Sequence, residues 1–590
     1  MKELFHLKKY FYKYRKQLLL GALFILISNI FGIYIPDFVG QAFNEIDEGL
    51  STVNKFDDTT LEIFKSKLLK YGIYVVLFAI AKGFFMFLMR QTVIVSSRNI
   101  EFDLKNEIFD HYQKLDQGFY TKNRTGDIIN RISEDVSKVR MFLGPAVMYS
   151  VNLSIMLVLV ISKMISVSPT LTLYSVLPMP ILAVTIFFVS NKINIKSLRV
   201  QESLASISNI SQETFAGIRL IKSRVLEKVL IKRNDEASAI YKQDQLSLIK
   251  TQSLFFPLMI LLIGLCTLIV IYFGGKEVIA GRMSKGTIAE FIIYINMLTW
   301  PVASIGWVSS ITYTAAASQK RINEFLKTEP EIKNTASEKH PIDGNIVFNN
   351  VSFTYQDSGV EALKNINLTI KPGETLGIIG KTGSGKTTLA QLLCRITDVT
   401  NGELSIADRP IQNHHLFHLR NNIAYVPQDV FLFSDTIKNN ISFGIENPKE
   451  EDIIEATKSA RVYENIMRFK NGFESKIGER GISLSGGQKQ RISLARAMMK
   501  DPKFLILDDC LSAVDTETEH HIIKSLKTWM AGKTSIIISH RVSSLQHADK
   551  IIVLENGEIT EVGTHDALLL DGKYYASVYK KQQAKESVNK

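Results

Sequence analysis

Cysteine is scarce in this sequence, and its scarcity argues against a structural metal site. The 590 residues contain three cysteines, Cys266, Cys394 and Cys510. They lie far apart and lack the spacing of metal ligands. We therefore expect free thiols in a reducing compartment.

Two further absences concern targeting and partners. The first apolar run is long and no small-residue cleavage site follows it, so we predict no cleavable signal peptide. The formal net charge of +12 would suit a nucleic-acid-binding protein. Much of the basic excess, however, lies beside apolar spans, where it favours membrane topology and contact with anionic lipid. We therefore expect membrane lipids as partners, and no nucleic acid.

Long apolar runs are present in the first 313 residues, whereas the rest has the composition of a soluble α/β domain. Six runs are long enough to span a bilayer, which takes about 20 helical residues. Pro36 lies at the outer end of the first run, and Pro178 and Pro180 predict a kink in the fourth. The predicted spans are 17–36, 71–94, 144–164, 168–190, 253–274 and 287–312, within a membrane domain over 1–320, before a linker over 321–342 and a nucleotide-binding domain over 343–590.

The basic residues predict the orientation of these spans. Lys and Arg are concentrated before the first span, whereas the loop after it begins with Glu45, Asp47 and Glu48. Because cytoplasmic flanks carry the excess of Lys and Arg, both termini are expected in the cytoplasm. The long, charged connections 95–143 and 191–252 then lie on the cytoplasmic side as well.

Both long connections show helical periodicity with a break in the middle. Apolar residues recur at helical spacing, and the breaks fall near Gly118–Gly126 and Thr214–Ile218. Each connection is therefore predicted to be a helical arm that leaves the membrane, a short transverse piece and a helix that returns. Periodicity alone fits a solvated scaffold equally well; an ATP-binding domain that moves the membrane helices would dock at these tips.

Lys82 is a single cation near the middle of the second predicted span. An ionisable group at that depth is costly and usually faces a cavity or a partner. The alternative is a shifted helix from which Lys82 extends to the interface. On the first interpretation, Lys82 lines a substrate path.

A phosphate-binding loop follows the apolar run Thr375–Ile379. The segment Gly380–Thr387 fits the pattern G-x-x-x-x-G-K-[ST] between a predicted strand and a predicted helix. Its backbone N–H groups and the helix N-terminus favour a phosphate, while Lys386 would reach the β- and γ-phosphates and Thr387 would bind Mg²⁺. The predicted ATP-binding residues are Tyr355, Gly380, Lys381, Thr382, Gly383, Ser384, Gly385, Lys386, Thr387 and Thr388.

Further motifs follow the loop. Gln428 ends a predicted strand and can reach Mg²⁺ and the attacking water, and Asp508 ends an apolar strand and suits a Mg²⁺ ligand. Tyr355 can stack on adenine, although an isolated aromatic residue is more often part of a core. A second anion-binding helix N-terminus is predicted at Leu484, Ser485, Gly486, Gly487 and Gln488.

Together, Gly380–Thr387, Leu484–Gln488 and Ile506–Asp509 carry a resemblance over nearly the whole chain. The sequence resembles an ATP-binding cassette (ABC) exporter half-transporter of the bacterial multidrug or lipid type. The implied fold is an α-helical six-span membrane domain with long cytoplasmic helical arms, fused to an α/β phosphate-loop nucleotide-binding domain.

The resemblance also implies partners and residue roles. Two half-transporters would hold two ATP molecules, each between one chain's phosphate loop and the other chain's signature, Leu484–Gln488. Tyr355 would stack on adenine, Gln428 would be the coupling glutamine, and His540 the switch histidine. Ser512–Asp515 would join the two sites, and the two arm tips would be coupling helices, one of which reaches the partner.

Asp509 departs from the exporter pattern. Exporters usually carry Glu after the Mg²⁺-binding Asp, as the base that polarises the attacking water. Aspartate is one methylene shorter, and misplacement by about 1 Å can cost around a hundredfold in rate. Asp509 resembles the Asp-bearing subunit of heterodimeric exporters, so we expect two unequal sites, with a homodimer as the alternative.

The leading functional hypothesis is ATP-driven export or flipping of amphipathic compounds, drugs or lipids, across the bacterial cytoplasmic membrane. ATP and Mg²⁺ are the expected cofactors, and Asp509, His540 and Gln428 are the expected catalytic residues. An ATP-gated channel or a regulatory membrane protein shares this architecture, but no long regulatory insertion interrupts the chain. A soluble ATPase acting on nucleic acid conflicts with the six spans.

Overall fold

The computed structural model describes residues 2–51, 58–478, 481, 484–514 and 516–588. Two compact units make up the chain, and each is described separately. The first contains residues 1–113 and 124–328, and the second contains residues 114–123 and 329–590. Asp515, expected in the loop that joins two nucleotide sites, lies outside the described residues.

Among the described residues, the first unit contains six helical segments that are long and apolar enough to cross a membrane, as predicted. Two short helices, Lys2–Leu7 and Lys8–Lys13, precede them. We call the six the first to sixth membrane helices: Arg15–Gly49, Glu62–Lys114, Thr125–Val167, Pro169–Ala216, Glu227–Ile279 and Lys285–Leu326.

The helices are longer than the predicted spans and differ from them at the prolines. The first helix runs past Pro36 to Ser51, so Pro36 lies inside it. The fourth is broken by a turn at Leu177–Pro178, between Pro169–Val176 and Met179–Ala216. Since proline lacks the N–H that continues the helix, this break is the predicted kink. The third contains two π-helical turns, Arg131–Asp135 and Phe142–Ala146.

The helical arms have the predicted plan. The second membrane helix is continuous to Lys114, and the short helix Gln117–Lys122 precedes the return at Thr125. In the other arm, a helix ends at Ala216 and the short helix Ile218–Arg224 precedes Glu227–Ser253. Gln117–Lys122 groups with the second unit, in contrast to the predicted division at residue 320.

The segment predicted as a linker, 321–342, is divided between the units. The sixth membrane helix continues to Leu326, because Ala315, Ile322 and Phe325 are buried at helical spacing. Beyond Glu329 the chain lies against the second unit, where the Asn334 side chain accepts a hydrogen bond from the Leu416 N–H (2.9 Å). The segment therefore contains the end of a membrane helix and the first residues of the second unit.

The second unit contains two sheets. An antiparallel four-stranded sheet has the order β2-β1-β4-β5, and a six-stranded sheet has the order β10-β9-β3-β8-β7-β6, parallel except for β9–β10. The strands are β1 (Ile346–Thr354), β2 (Glu361–Ile370), β3 (Thr375–Gly380), β4 (Asn401–Ile406), β5 (Arg409–Pro410), β6 (Ile423–Val426), β7 (Phe504–Asp508), β8 (Thr534–Ile538), β9 (Lys550–Glu555) and β10 (Glu558–Gly563).

The central strands β3, β7 and β8 are buried along almost their whole length, as expected for a sheet covered on both faces. Among the described residues, three buried clusters form the core: one around Leu389 and Ile506, one around Ile492 and Leu507, and one around Ile551 and Tyr575. The α-helices are Lys386–Leu393, Leu416–Asn421, Ile437–Ile441, Glu450–Ser459, Tyr463–Met467, Gly486–Met498, Thr516–Met530, His565–Asp571 and Tyr574–Val588; the 3₁₀ turns are Ile411–Asn413, Gly472–Glu474 and Val542–Ser544.

Candidate nucleotide-binding site

The phosphate loop connects β3 to the helix Lys386–Leu393. Gly383 and Gly385 have φ angles of 81° and 99°, in the left-handed region that glycine favours. A Cβ on Gly385 would lie 2.4 Å from the Ala362 carbonyl oxygen, so a larger residue does not fit there. The loop is therefore a tight turn that presents backbone N–H groups at the start of a helix.

The polar atoms of this loop suit an anion. The Ser384 hydroxyl is buried and has no hydrogen-bond partner among the described residues. Lys386 is 7% exposed, and its Nζ donates to the carbonyl oxygens of Gly380 (2.9 Å) and Lys381 (2.7 Å). Burial lowers the pKa of Lys386, opposed by Asp508 and Asp509. A buried cation and an unsatisfied donor fit the phosphates of a nucleotide.

A cleft of about 530 Å³ lies over the loop. It brings together residues from six separate parts of the second unit. Those of the predicted site residues that line it are Tyr355, Thr382, Gly383, Gly385, Lys386, Thr387, Thr388, Gln428, Asp508, Asp509 and His540.

Asp508 and Thr387 form a pair suited to Mg²⁺. Asp508 is the last residue of β7, is 1% exposed, and accepts a hydrogen bond from the Thr387 side chain. Burial raises the pKa of Asp508, while the hydrogen bond with Thr387 opposes this rise. A carboxylate and a hydroxyl are oxygen ligands of the kind Mg²⁺ prefers. Gln428 is exposed in the loop after β6 and lines the same cleft.

Tyr355 is not part of the core. Its side chain is 39% exposed at the cleft, and its hydroxyl forms a hydrogen bond with Thr388 Oγ1 (3.0 Å). The ring packs edge-on against Phe353, with centroids 4.9 Å apart. These contacts hold one face of an aromatic ring at the cleft, where it can stack on a base.

Asp509 follows β7 with φ 47°, a conformation that Asp adopts more readily than most residues. Its N–H donates to the Ile538 carbonyl (2.9 Å) and its own carbonyl accepts from the Ser512 hydroxyl (3.0 Å). The backbone is therefore held on both sides, while the side chain lines the cleft. The short acid is thus fixed at its Cα, and the held backbone limits how far the carboxylate can advance.

One residue of this site was missed by the sequence analysis. Gln582, in the helix Tyr574–Val588, donates from Nε2 to the His540 carbonyl oxygen (2.7 Å). Its Oε1 accepts from the Val542 N–H (2.9 Å). Gln582 therefore holds the backbone on both sides of Arg541, next to the histidine that lines the cleft. No local sequence motif indicates this contact, which joins residues 42 positions apart.

The signature segment is placed away from this cleft. Ser485 caps the helix Gly486–Met498: its Oγ accepts from the Gln488 N–H (3.3 Å), and its N–H donates to Gln488 Oε1 (2.9 Å). Ser485 and Gly486 are exposed, and none of Leu484–Gln488 lines the cleft among the described residues. The chain presents two glycine-rich helix N-termini, of which one faces the nucleotide cleft.

Lys82 lies in the membrane unit and is half-buried. Its Nζ lies beside Gly32 of the first membrane helix, 3.2 Å from where a Cβ would stand. No charged group among the described residues acts on it. Because Pro36 lacks an N–H, the Gly32 carbonyl has no donor within its own helix. The first helix thus contributes a polar carbonyl group at this contact, and the second contributes Lys82.

The cleft and the two units define the class of protein. A phosphate loop, a buried acid at the end of β7 and a cleft for a nucleotide make a phosphate-loop ATPase, here fused to six membrane helices. A model of the ABC transporter transmembrane region matches residues 17–302, and a model of the ABC transporter matches residues 363–512.

Similarity to known proteins extends over the whole chain. It is 34% identical to the probable multidrug resistance ABC transporter ATP-binding/permease protein YheI of Bacillus subtilis, over 97% of this chain and 96% of the relative. It is 34% identical to the multidrug resistance-like ATP-binding protein MdlA of Escherichia coli, over 87% of each. The ATP-dependent lipid A-core flippase of Syntrophus aciditrophicus is 32% identical, over 88% of this chain and 86% of the relative.

The chain therefore belongs to the ABC transporters, and it is an ATP-hydrolysing transporter subunit. A solved structure of a bacterial Atm1-family ABC exporter with ATP bound has the same fold, with a TM-score of 0.79 at 22% identity over 96% of this chain and 99% of that one.

Proposed function

We propose that this protein exports amphipathic compounds, drugs or lipids, from the cytoplasmic leaflet, driven by ATP hydrolysis. The observation that carries the proposal is the cleft in which the phosphate loop, Asp508 and His540 meet, in a chain with six membrane helices. The relatives named as multidrug and lipid A-core transporters support this substrate class.

Each residue of the cleft has a role on this proposal. Tyr355 stacks on adenine, the loop from Gly380 to Thr388 binds the phosphates, and Lys386 contacts the β- and γ-phosphates. Thr387, Asp508 and Gln428 hold Mg²⁺, which neutralises charge on the phosphates. Asp509 orients the attacking water, and His540 contacts the γ-phosphate.

The placement of the signature supports a dimer with composite sites. Because Leu484–Gln488 lies outside the cleft of its own chain, it is available to a partner's nucleotide. We propose a second half-transporter as partner, with two unequal sites. The shorter acid at Asp509 makes this chain's own site the slow one, while its intact signature completes the fast site of the partner.

We propose that the protein lies in the bacterial cytoplasmic membrane with both termini in the cytoplasm. The basic N-terminal segment contacts the arm that follows the second span: Lys13 pairs with Asp103 (2.6 Å), and Lys9 pairs with Glu107. These pairs support a common side of the membrane for the N-terminus and that arm, and the concentration of Lys and Arg there favours the cytoplasm.

The arm tips are proposed as coupling helices. Lys122, at the end of Gln117–Lys122, pairs with Asp357 (3.7 Å), two residues after Tyr355. A change at the adenine end of the cleft can therefore reach this arm. At the other tip, Phe215 is 74% exposed, and we propose that it packs on the partner's nucleotide domain.

Reconstitution tests the proposed function. Purified protein, alone or with its partner half-transporter, is placed in proteoliposomes with an amphipathic dye. Export predicts ATPase activity that rises with substrate and dye movement that stops without ATP. Ion current without dye movement would favour the channel, and ATPase independent of the membrane would overturn the proposal.

Lys82 is proposed to line the substrate path and to favour compounds with an anionic group. Lys82→Met should reduce transport of an anionic amphiphile several-fold more than transport of its neutral ester. Lys192→Met, a change of charge in the fourth helix, is the control for expression and insertion. Equal effects on both compounds would reject a role in the substrate path and favour the alternative, in which Lys82 extends to the membrane interface.

A further inference from the structure

A partly buried group of polar side chains joins the first, third and sixth membrane helices. We call Asp37, Lys163, Glu290 and Tyr294 the outer cluster, since the proposed orientation places it at the external end of these helices. Lys163 pairs with Asp37 (3.3 Å). Glu290 and Tyr294 are 5% and 0% exposed. None of these residues belongs to the nucleotide site.

The cluster lies where the first and sixth helices are in close contact. A Cβ on Gly286 would lie 1.9 Å from the Gly40 carbonyl oxygen, and one on Gly40 would lie 3.5 Å from Glu290 Oε2. The Gly286 N–H donates to Asn44 Oδ1 (2.8 Å) across the same contact. Glycine lets the two backbones approach, as in other membrane helix pairs. Separation of these helix ends would open the cluster to water.

The hydrogen bonds of Tyr294 indicate the protonation of Glu290. The Tyr294 hydroxyl lies 2.8 Å from Glu290 Oε1 and 3.2 Å from the Ile33 carbonyl oxygen. A hydroxyl has one proton, and a carbonyl oxygen accepts only. Both contacts are hydrogen bonds at once if a protonated Glu290 donates to Tyr294 and Tyr294 donates to Ile33. An ionised Glu290 would instead accept the hydrogen bond from Tyr294, and Tyr294 would then not donate to the Ile33 carbonyl oxygen.

The charges around Glu290 point in the same direction. The charged groups that act on it among the described residues are Asp37, on the first helix, and Lys163, on the third. Tyr34 adds its ring near Lys163, and the fifth helix adds the buried Cys266. Two carboxyl groups therefore share one ammonium group. With Glu290 ionised, the cluster has a net negative charge and its buried carboxylate is not fully paired, which is costly. Binding of one proton removes this charge.

We propose that Glu290 is a proton-binding site that controls the contact between the outer ends of the first and sixth membrane helices. When these ends are packed, Glu290 holds the proton. When the proton passes to external water, the two carboxylates repel and water is drawn in, so the helix ends separate. The proposal rests on the proposed orientation and adds an external proton as a ligand of the transporter.

Distance measurement with two spin labels tests this without ATP or substrate, so failure of export would not affect it. Labels are attached at Ile46→Cys, on the first helix, and Ser284→Cys, just before the sixth; both native positions are exposed. The native cysteines are buried and react slowly. The full chain in lipid nanodiscs should show one short distance at acidic pH and a growing longer population as the pH rises.

Glu290→Gln keeps the shape of the side chain but has no proton to release, so the short distance should persist at every pH. Glu277→Gln is the matched control, because Glu277, on the fifth helix, is paired with the exposed Arg282 and lies outside the outer cluster. That control should keep the response of the unmodified protein. The same pH response in Glu290→Gln, or none in the unmodified protein, would overturn the proposal.

A second pair of variants separates the charge effect from a packing effect. Asp37→Asn leaves an ionised Glu290 neutralised by Lys163, so the open-to-closed ratio at alkaline pH should fall about tenfold. Lys163→Gln leaves two unpaired carboxylates, so the ratio should rise about tenfold. Changes of the same sign would show that the variants only loosen packing, and the proton site would be rejected.

Discussion

The two glycine-rich helix N-termini of the nucleotide domain have opposite surroundings. The helix Lys386–Leu393 starts after Gly385, has no side-chain cap, and opens onto a cleft lined by acids and a histidine. The helix Gly486–Met498 is capped by Ser485 and Gln488 and is exposed at its start. One N-terminus is unsatisfied and enclosed, whereas the other is satisfied and open.

This difference follows from what each N-terminus must bind. An N-terminus without a cap leaves N–H groups free, and a phosphate can satisfy them inside a complete site. A capped N-terminus has its N–H groups satisfied without a ligand, so it can remain exposed at the surface until a partner binds. On the proposed dimer, the first N-terminus binds the chain's own nucleotide and the second binds a partner's nucleotide.

The largest expected effect is at the enclosed end. Lys386→Ala removes the buried ammonium from the loop, so ATP binding should weaken strongly and transport should stop. Binding of a fluorescent ATP analogue and dye transport in proteoliposomes measure both effects. Lys503→Ala, at a side chain that is 57% exposed, is the control. Undiminished transport by Lys386→Ala would show that the phosphate loop and its helix N-terminus are not needed for transport.

The next effect separates equal from unequal sites. Asp509→Asn should leave most of the ATPase activity in a heterodimer, because the fast site uses the partner's acid. In a homodimer it should remove nearly all activity from both sites. Ser485→Arg fills the exposed N-terminus and should stop ATPase activity in the heterodimer. Steady-state ATPase assays on the purified assembly distinguish the two, with Asp501→Asn, an exposed acid, as the control.

Strong ATPase activity from this chain purified alone, abolished by Asp509→Asn, would decide for the homodimer. In that case the two helix N-termini contribute to two identical composite sites, and the shorter acid at Asp509 is sufficient for catalysis.

The sequence predicts the residues that line the cleft better than the residues that hold them in position. Glycines, Lys386 and Asp508 lie in short motifs whose spacing follows from strand, turn and helix, so their meeting is expected. Gln582 acts through the His540 backbone from a separate helix, and such a contact depends on tertiary packing. The continuation of the sixth membrane helix to Leu326, past residue 320, was missed because polar residues lie between the buried Ile322 and Phe325.

Gln582 is expected to position His540, which lines the enclosed site, through the backbone on both sides of Arg541. Gln582→Glu keeps the acceptor for the Val542 N–H but loses the donor to the His540 carbonyl, so the loop should shift. The single hydrogen bond that is lost contributes about 0.5–1.5 kcal/mol, which predicts a fall in kcat of up to about tenfold with little change in KM for ATP.

The adjacent Gln583 contacts Tyr579 on the exposed side of the same helix (2.6 Å). Gln583→Ala should therefore leave kcat unchanged. A loss in the Gln582 variant that appears only as lower thermal stability, with unchanged kcat, would make the contact structural.

The smallest expected effect concerns the cap at the open end. Ser485→Ala removes the side-chain acceptor for the Gln488 N–H, which should cost about 1 kcal/mol and lower the melting temperature of the nucleotide domain by about 2–4 °C. Ser485→Asp keeps a good capping oxygen and should melt like the unmodified protein, yet its negative charge would repel the partner's ATP. ATPase activity lost in Ser485→Asp without any change in melting temperature would show that this N-terminus binds a phosphate. Normal activity in Ser485→Asp would mean that it is a structural cap, and the contrast between the two helix ends would then have no role in nucleotide binding.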